Sequence, residues 1–183
     1  MPETPLSVIQ FWRDEVGEAR WYVPDPALDK HIRGRFEPLW RDARGGKLND
    51  WQMTPDGTLA LLIVLDQFPR NMFRNHADAF ATDAQALAVA KTAVAREIDL
   101  RVPTNLRQFF FTPFMHSENL ADQDRCIALF EQRDGPDAYN LPFARQHRGV
   151  IAKFGRFPAR NAALGRASTA EERAFLNESQ TPR

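Results

Sequence analysis

Thr54-Pro55-Asp56-Gly57-Thr58-Leu59-Ala60-Leu61-Leu62-Ile63-Val64-Leu65-Asp66-Gln67-Phe68-Pro69-Arg70-Asn71 is the stretch that decides the fold class. Thr54 followed by Pro55 is a helix start: a hydroxyl able to cap free amides, then a proline where its missing N–H costs nothing. The apolar run from Leu59 to Phe68 that follows has helix length. The β-rich Leu61 to Leu65 lies inside it, without alternating polar residues or turn signals at its edges. The stretch therefore predicts a buried helix, not a strand.

The same device recurs in both directions along the chain. Asp25-Pro26 opens a segment to Trp40 with apolar spacing at Leu28, Ile32, Phe36 and Leu39, and Gly45-Gly46 separates it from the Thr54 helix. Thr82 opens the alanine-rich segment from Asp83 to Ile98, and Pro103 marks a restart. Ser117 to Arg133 carries Leu120, Ile127 and Phe130 on one face. Beyond Gly135-Pro136, Leu141 to Phe154 carries Phe143, Val150, Ile151 and Phe154. Ser168 and Glu171 have capping-box spacing for a last helix through Phe175. Phe109 to Phe111 ends at Pro113 and makes no strand. The expected fold is all-α, with antiparallel helical hairpins in a single domain over residues 1–183.

Composition narrows the function classes. The 183 residues hold 24 basic and 24 acidic side chains, so no global field draws the chain to nucleic acid or an anionic membrane. Nucleic acid is not an expected partner. Only Lys30, Lys47, Lys91 and Lys153 are lysines, so the basic residues are overwhelmingly arginines, suited to planar anion contacts. Cys126 is the lone cysteine and sits in an apolar helical context. No run is apolar and long enough for a membrane span, and the start lacks a secretory pattern, so a cytoplasmic location is expected. Walker, dinucleotide, nucleophile-elbow and paired-cysteine patterns are absent, and no cofactor is expected.

Three runs place polar residues inside apolar helical stretches. In the first, Asp66 at the end of an apolar helix demands a partner, and Arg70 or Arg74 can provide it. Read structurally, this is an ion-pair clamp. Read functionally, Asp66, Arg70, Asn71 and Arg74 border a site for a small anion. In the second run, His116 and Gln123 share the helical spacing of Leu120, Ile127 and Phe130, with Glu118 close by. His116 is either a satisfied interior histidine or an acid/base group oriented by Glu118 or Asp66. A metal is not expected, because His116 and Glu118 lie two apart and no second histidine follows at helical spacing. His147 lies on an apolar face in the same way.

The third run gathers Arg156, Arg160, Asn161 and Arg166 about Pro158 and Gly165, either as an anion cradle or as pins on helix-end carbonyls. It also echoes the first: Phe68-Pro69-Arg70-Asn71 is answered by Phe157-Pro158-Ala159-Arg160-Asn161, with one residue inserted. Each copy reads as a Phe-Pro turn followed by an Arg-Asn restart.

Leu65 to Arg74, Pro113 to Gln123 and Phe154 to Glu172, with Val8 to Trp12 and its Phe11-Trp12 pair, together resemble a bacterial family catalogued as a domain of unknown function, number 924. The resemblance covers nearly the whole chain. It implies a tetratricopeptide-like α-α superhelix and no assigned activity.

Two functions compete. In one, Asp66, Arg70, Asn71, Arg74, Gln123, His147, Arg160 and Asn161 line a pocket for a small anionic ligand, and His116 with Glu118 transfers protons. In the other, the chain is a helical scaffold for a protein partner. The polar motifs are then buried, mutually paired struts, and an aromatic patch including Trp12, Trp21 and Tyr22 faces outward.

Overall fold

Proline opens each of the first three α-helices, each time behind a residue that leaves the first amides something to bind. In α1 (Pro5–Gln10) Thr4 accepts from the Ser7 amide, in α2 (Pro26–Arg44) Asp25 accepts from Ala27 and Leu28, and in α3 (Pro55–Leu62) Thr54 accepts from Gly57. The structure is a computed structural model that describes residues 2–180, with side chains to residue 178. Among the described residues all regular structure is helical, and no strand occurs. No helix is long and apolar enough to cross a membrane.

The deciding stretch forms one long rod with a defect built into it. After α3 the chain widens into a π-helical segment, Ile63–Gln67, and continues as α4 (Phe68–Met72). Pro69 therefore does not make the expected turn: the helix runs through it. A proline at this point has no N–H to give the Leu65 carbonyl, and its ring crowds that turn. The π-helical widening accommodates the ring. The Thr82 hydroxyl donates to the Leu65 oxygen at 2.5 Å, and the Trp40 indole N–H donates to Thr82 at 3.1 Å.

This rod is the axis of the core. Every residue from Leu59 to Phe68 is buried, α1 packs on α3, and α2 packs on α4 and on the π-helical segment. Phe68 meets Phe36 at 4.6 Å and Trp12 at 5.6 Å between ring centroids, and Phe11 joins Phe36 at 4.8 Å. Burying an aromatic of this size is worth about 2–3 kcal/mol, so these rings tie the first two helices to the rod. Gly57 permits the close entry of the rod: a Cβ there would lie 2.1 Å from the Trp51 carbonyl oxygen.

The second half wraps the other side. The helix α5 (Asp83–Ala95) packs its alanines on α3. The short turns α6 (Thr104–Arg107) and α7 (Thr112–Met115) lead to α8 (Leu120–Arg133), which pairs with α9 (Leu141–Phe154). The expected helix from Ser117 starts at Leu120 instead, because the Asn119 side chain accepts from the Ala121 and Asp122 amides. His116 thus belongs to the end of α7, and Leu120 is exposed. The last helix, α10 (Ala170–Gln180), is capped one residue later than its spacing implies: Thr169 and Glu172 exchange the two bonds of the capping box, at 3.1 and 2.7 Å.

Candidate functional site

The two Phe-Pro-Arg-Asn copies, 90 residues apart at their arginines, meet on one carboxylate. Arg70 of α4 donates to Asp83 at 3.0 Å, and Arg160 of the 3₁₀ turn Pro158–Arg160 donates to the same oxygen at 3.2 Å. Both guanidinium groups face the Phe80 ring, at 5.9 and 4.7 Å from its centroid, and Arg160 also covers Phe157 at 4.5 Å. Asp83 lies in the first turn of α5, where the helix dipole favours a carboxylate.

Asp66 is the buried centre of the arrangement. It has no exposed surface and stands one turn before Arg70, whose guanidinium approaches its carboxylate at 3.1 Å and its carbonyl at 2.6 Å. The Gln67 amide donates to its second oxygen at 2.5 Å and to Thr112 at 3.2 Å. The His116 Nδ1 lies 2.7 Å from the first oxygen. Burial works against the Asp66 charge, but Arg70 and the hydrogen bonds outweigh it and hold this carboxyl well below the usual range. His116 is pushed toward its neutral form: burial and then the Arg70 charge lower it, against the pull of Asp66, so the ring is neutral near pH 7. A neutral ring bound to an ionised carboxylate carries its proton on Nδ1. Among the described residues Nε2 has no hydrogen bond, and it is not a buried atom.

Two guanidinium groups sharing one carboxylate repel each other. Burial first, and then the Arg70 charge, push Arg160 down to about 10. Its other arm donates to the His116 carbonyl at 2.9 Å, tying the second copy directly to the histidine. His147 in α9 donates from Nδ1 to the Phe143 carbonyl at 2.8 Å and stands edge-on to Phe157 at 5.4 Å. With a carbonyl as partner, Nδ1 is the donor. Burial lowers His147, against that hydrogen bond.

The structure thus brings Asp66, Arg70, His116 and Arg160 into contact, with His147 at the edge. The other sequence-derived residues have separate partners. Asn71 and Arg74 both bind Asp29 of α2, at 2.8 Å in each case. Glu118 receives both arms of Arg166, at 2.7 and 3.0 Å, and the Phe157 amide at 2.8 Å. These bonds outweigh the cost of burial and lower its carboxyl. Asn161 donates to Ser168 at 3.0 Å and accepts from Arg166 at 3.0 Å. Gln123 donates to the Met115 and Ser117 carbonyls at 2.6 and 2.7 Å, closing the end of α7, and its own oxygen is buried without a partner.

Asp83, Phe80, Gln67 and Thr112 complete the cluster without having been singled out from the sequence. Asp83 reads there as an ordinary first-turn acid. Only the demand of two arginines for a counter-charge points to it. Among the described residues no group of three or more His, Cys, Asp or Glu is arranged to hold a metal.

The model of the family described as bacterial protein of unknown function (DUF924) matches residues 8–180. A solved structure of a protein of unknown function from Agrobacterium tumefaciens, ATU0120, is similar at a TM-score of 0.88 with 39% identity, covering 95% of this chain and 97% of that one. No curated protein matches.

Proposed function

This chain belongs to the DUF924 family of bacterial proteins of unknown function, and we propose that the cluster between its two Phe-Pro-Arg-Asn copies binds a small anionic molecule and acts on it through His116. One observation carries the reading: the Asp66 carboxylate fixes the mostly buried His116 through Nδ1 and leaves Nε2 without a hydrogen-bond partner among the described residues. A histidine oriented in this way by a buried carboxylate is equipped as a general base, since the carboxylate stabilises the imidazolium formed on proton uptake. Arg70 and Arg160 supply the attraction for the anion. They share Asp83, and a second anionic group beside them relieves their mutual repulsion.

In this reading Glu118, Asn71, Arg74, Gln123 and Asn161 hold the surrounding turns, and His147 borders the site. The reaction class is proton abstraction or water activation beside a carboxylate- or phosphate-bearing group. Thermal denaturation with added inorganic phosphate or citrate tests it. A ligand at 100 times its Kd stabilises by about 2.7 kcal/mol, and that gain should vanish in Arg160→Ala and persist in His116→Gln. Equal stabilisation of wild type and Arg160→Ala would refute the site.

The second reading, a cytoplasmic helical scaffold of tetratricopeptide-like form, draws support from the pairing of the remaining polar motifs. Glu118 with Arg166, Arg156 with Glu172 at 2.6 Å, and Arg74 with Asp29 are struts between elements. The outward aromatic patch expected for it does not include Trp12 or Trp21, which are buried. Tyr22 is 49% exposed.

A further inference from the structure

A cleft of about 750 Å³ opens between the Glu18–Val23 segment, the Thr104–Gln108 turn and the α8–α9 connection, and none of Asp66, Arg70, His116 or Arg160 lines it. Its volume falls within the range of small-molecule sites. Tyr22, Tyr139 and Phe143 present aromatic surface to it, and Tyr139 is 75% exposed. Tyr139 and Phe143 lie 5.8 Å apart between centroids, tilted by 51°. Two open ring faces at that separation can border one bound group.

The polar floor of the cleft has a direction. The Tyr22 hydroxyl donates to the Gln108 oxygen at 2.6 Å, and the Asn140 amide donates to the same oxygen. Gln108 donates to the Asn105 carbonyl at 2.7 Å, and Asn105 donates to Glu18 at 2.6 Å. The hydroxyl hydrogen and one hydrogen from each amide are thus spent inside the network, and each amide keeps one N–H. The unspent acceptors are the second Glu18 oxygen and the side-chain oxygens of Asn105 and Asn140, and of these only Glu18 carries a charge. Asp134 adds a further carboxylate, with Arg107 at 3.1 Å on one of its oxygens, and no lysine, arginine or histidine lines the cleft.

We propose that this cleft binds a small organic cation, an amine with an apolar body, its charge held against the Tyr22, Tyr139 and Phe143 rings and Glu18, and its N–H groups received by the floor. An anion finds no donor of positive charge there. A neutral apolar molecule leaves the acceptors unpaired, which a site of this kind penalises. The cleft and the His116 cluster share no residue, so each stands or falls without the other.

The probe is 2-phenylethylammonium, with 2-phenylethanol and 3-phenylpropionate as neutral and anionic counterparts of similar size, followed by calorimetry and by NMR shifts of the Tyr139 and Phe143 ring signals. The ammonium should bind about tenfold or more tightly than either counterpart. Tyr139→Ala and Glu18→Gln, both at exposed positions, should each weaken it severalfold with the circular dichroism spectrum unchanged. Three results would overturn the proposal: equal or tighter binding of 3-phenylpropionate, absence of ring shifts at millimolar ammonium, or ammonium affinity that survives both substitutions.

Discussion

Phe68-Pro69-Arg70-Asn71 and Phe157-Pro158-Ala159-Arg160-Asn161 spell nearly the same words and form different structures. The first lies within a helix, its proline absorbed by a π-helical widening and its orphaned carbonyl met by Thr82. The second follows a break: α9 ends at Gly155, whose φ of +67° is left-handed, and Pro158 begins a single 3₁₀ turn. The surroundings of each proline decide between them. Phe68 has no exposed surface, and there helix continuation, with the Thr82 hydroxyl on the Leu65 carbonyl, keeps the backbone paired. The later copy follows a helix stop, where the chain leaves the helix and returns Arg160 to the first copy. Identical side chains therefore reach the same Asp83 oxygen on unlike backbones.

The difference in burial should show most strongly at Asp66. Removing a carboxylate that buried arginine and histidine both use costs about 3–5 kcal/mol, so Asp66→Ala should lose that much in urea denaturation. A loss below 1 kcal/mol would mean that the first copy is no more rigidly anchored than the second. The junction itself can be measured with the Arg70→Ala and Arg160→Ala double-mutant cycle. Each single substitution relieves the repulsion felt by the remaining guanidinium, whereas the double leaves Asp83 without either. The double should therefore exceed the sum by about 1 kcal/mol, and strict additivity would break the link between the copies.

Acid should weaken the junction in a defined direction. His116 is lowered from its ordinary 6.5, so just below that pH the unfolded chain binds more protons than the folded one, and stability falls as pH falls through the window. One such histidine gives a slope of at most about 1.4 kcal/mol per pH unit. His116→Gln should remove its share and leave that of His147, which is also lowered. Identical slopes in wild type and variant would contradict the assignment of His116 as the neutral partner.

The smallest effect expected belongs to the second copy alone. Gly155→Ala forces a left-handed backbone on a residue with a Cβ and should cost about 1 kcal/mol, although a Cβ there meets nothing within 4 Å. Gly149, inside α9 with equally open surroundings, should respond oppositely: Gly149→Ala should stabilise by about 0.5–1 kcal/mol. Equal signs for the two would remove the distinction between a helix interior and a helix stop on which the comparison rests.

Much of the helical framework was legible because its signals are local. Asp25-Pro26, Thr54-Pro55 and the apolar run after them are read by neighbouring amides and by burial of one contiguous segment. The boundaries at Leu120 and Ala170 differ from the expected ones because two nearby residues, Ser117 and Asn119, or Ser168 and Thr169, compete for the same capping role, and only loop geometry chooses. Cluster members were legible where a residue type was costly in its context, as with Asp66. They were hidden where the residue looked ordinary, as with Asp83 at a helix start.

What the sequence determined by itself was the all-helical character and the need of Asp66 for a counter-charge, since both follow from periodicity and from the cost of burying a carboxylate. What only the tertiary structure decided was the pairing. Arg70 and Arg160 converge on Asp83 while Arg74 goes to Asp29, and His116 faces Asp66 while Glu118 faces Arg166. Nearest-neighbour choice among like-charged, equally spaced side chains depends on how the helices pack, and no spacing within one helix encodes it.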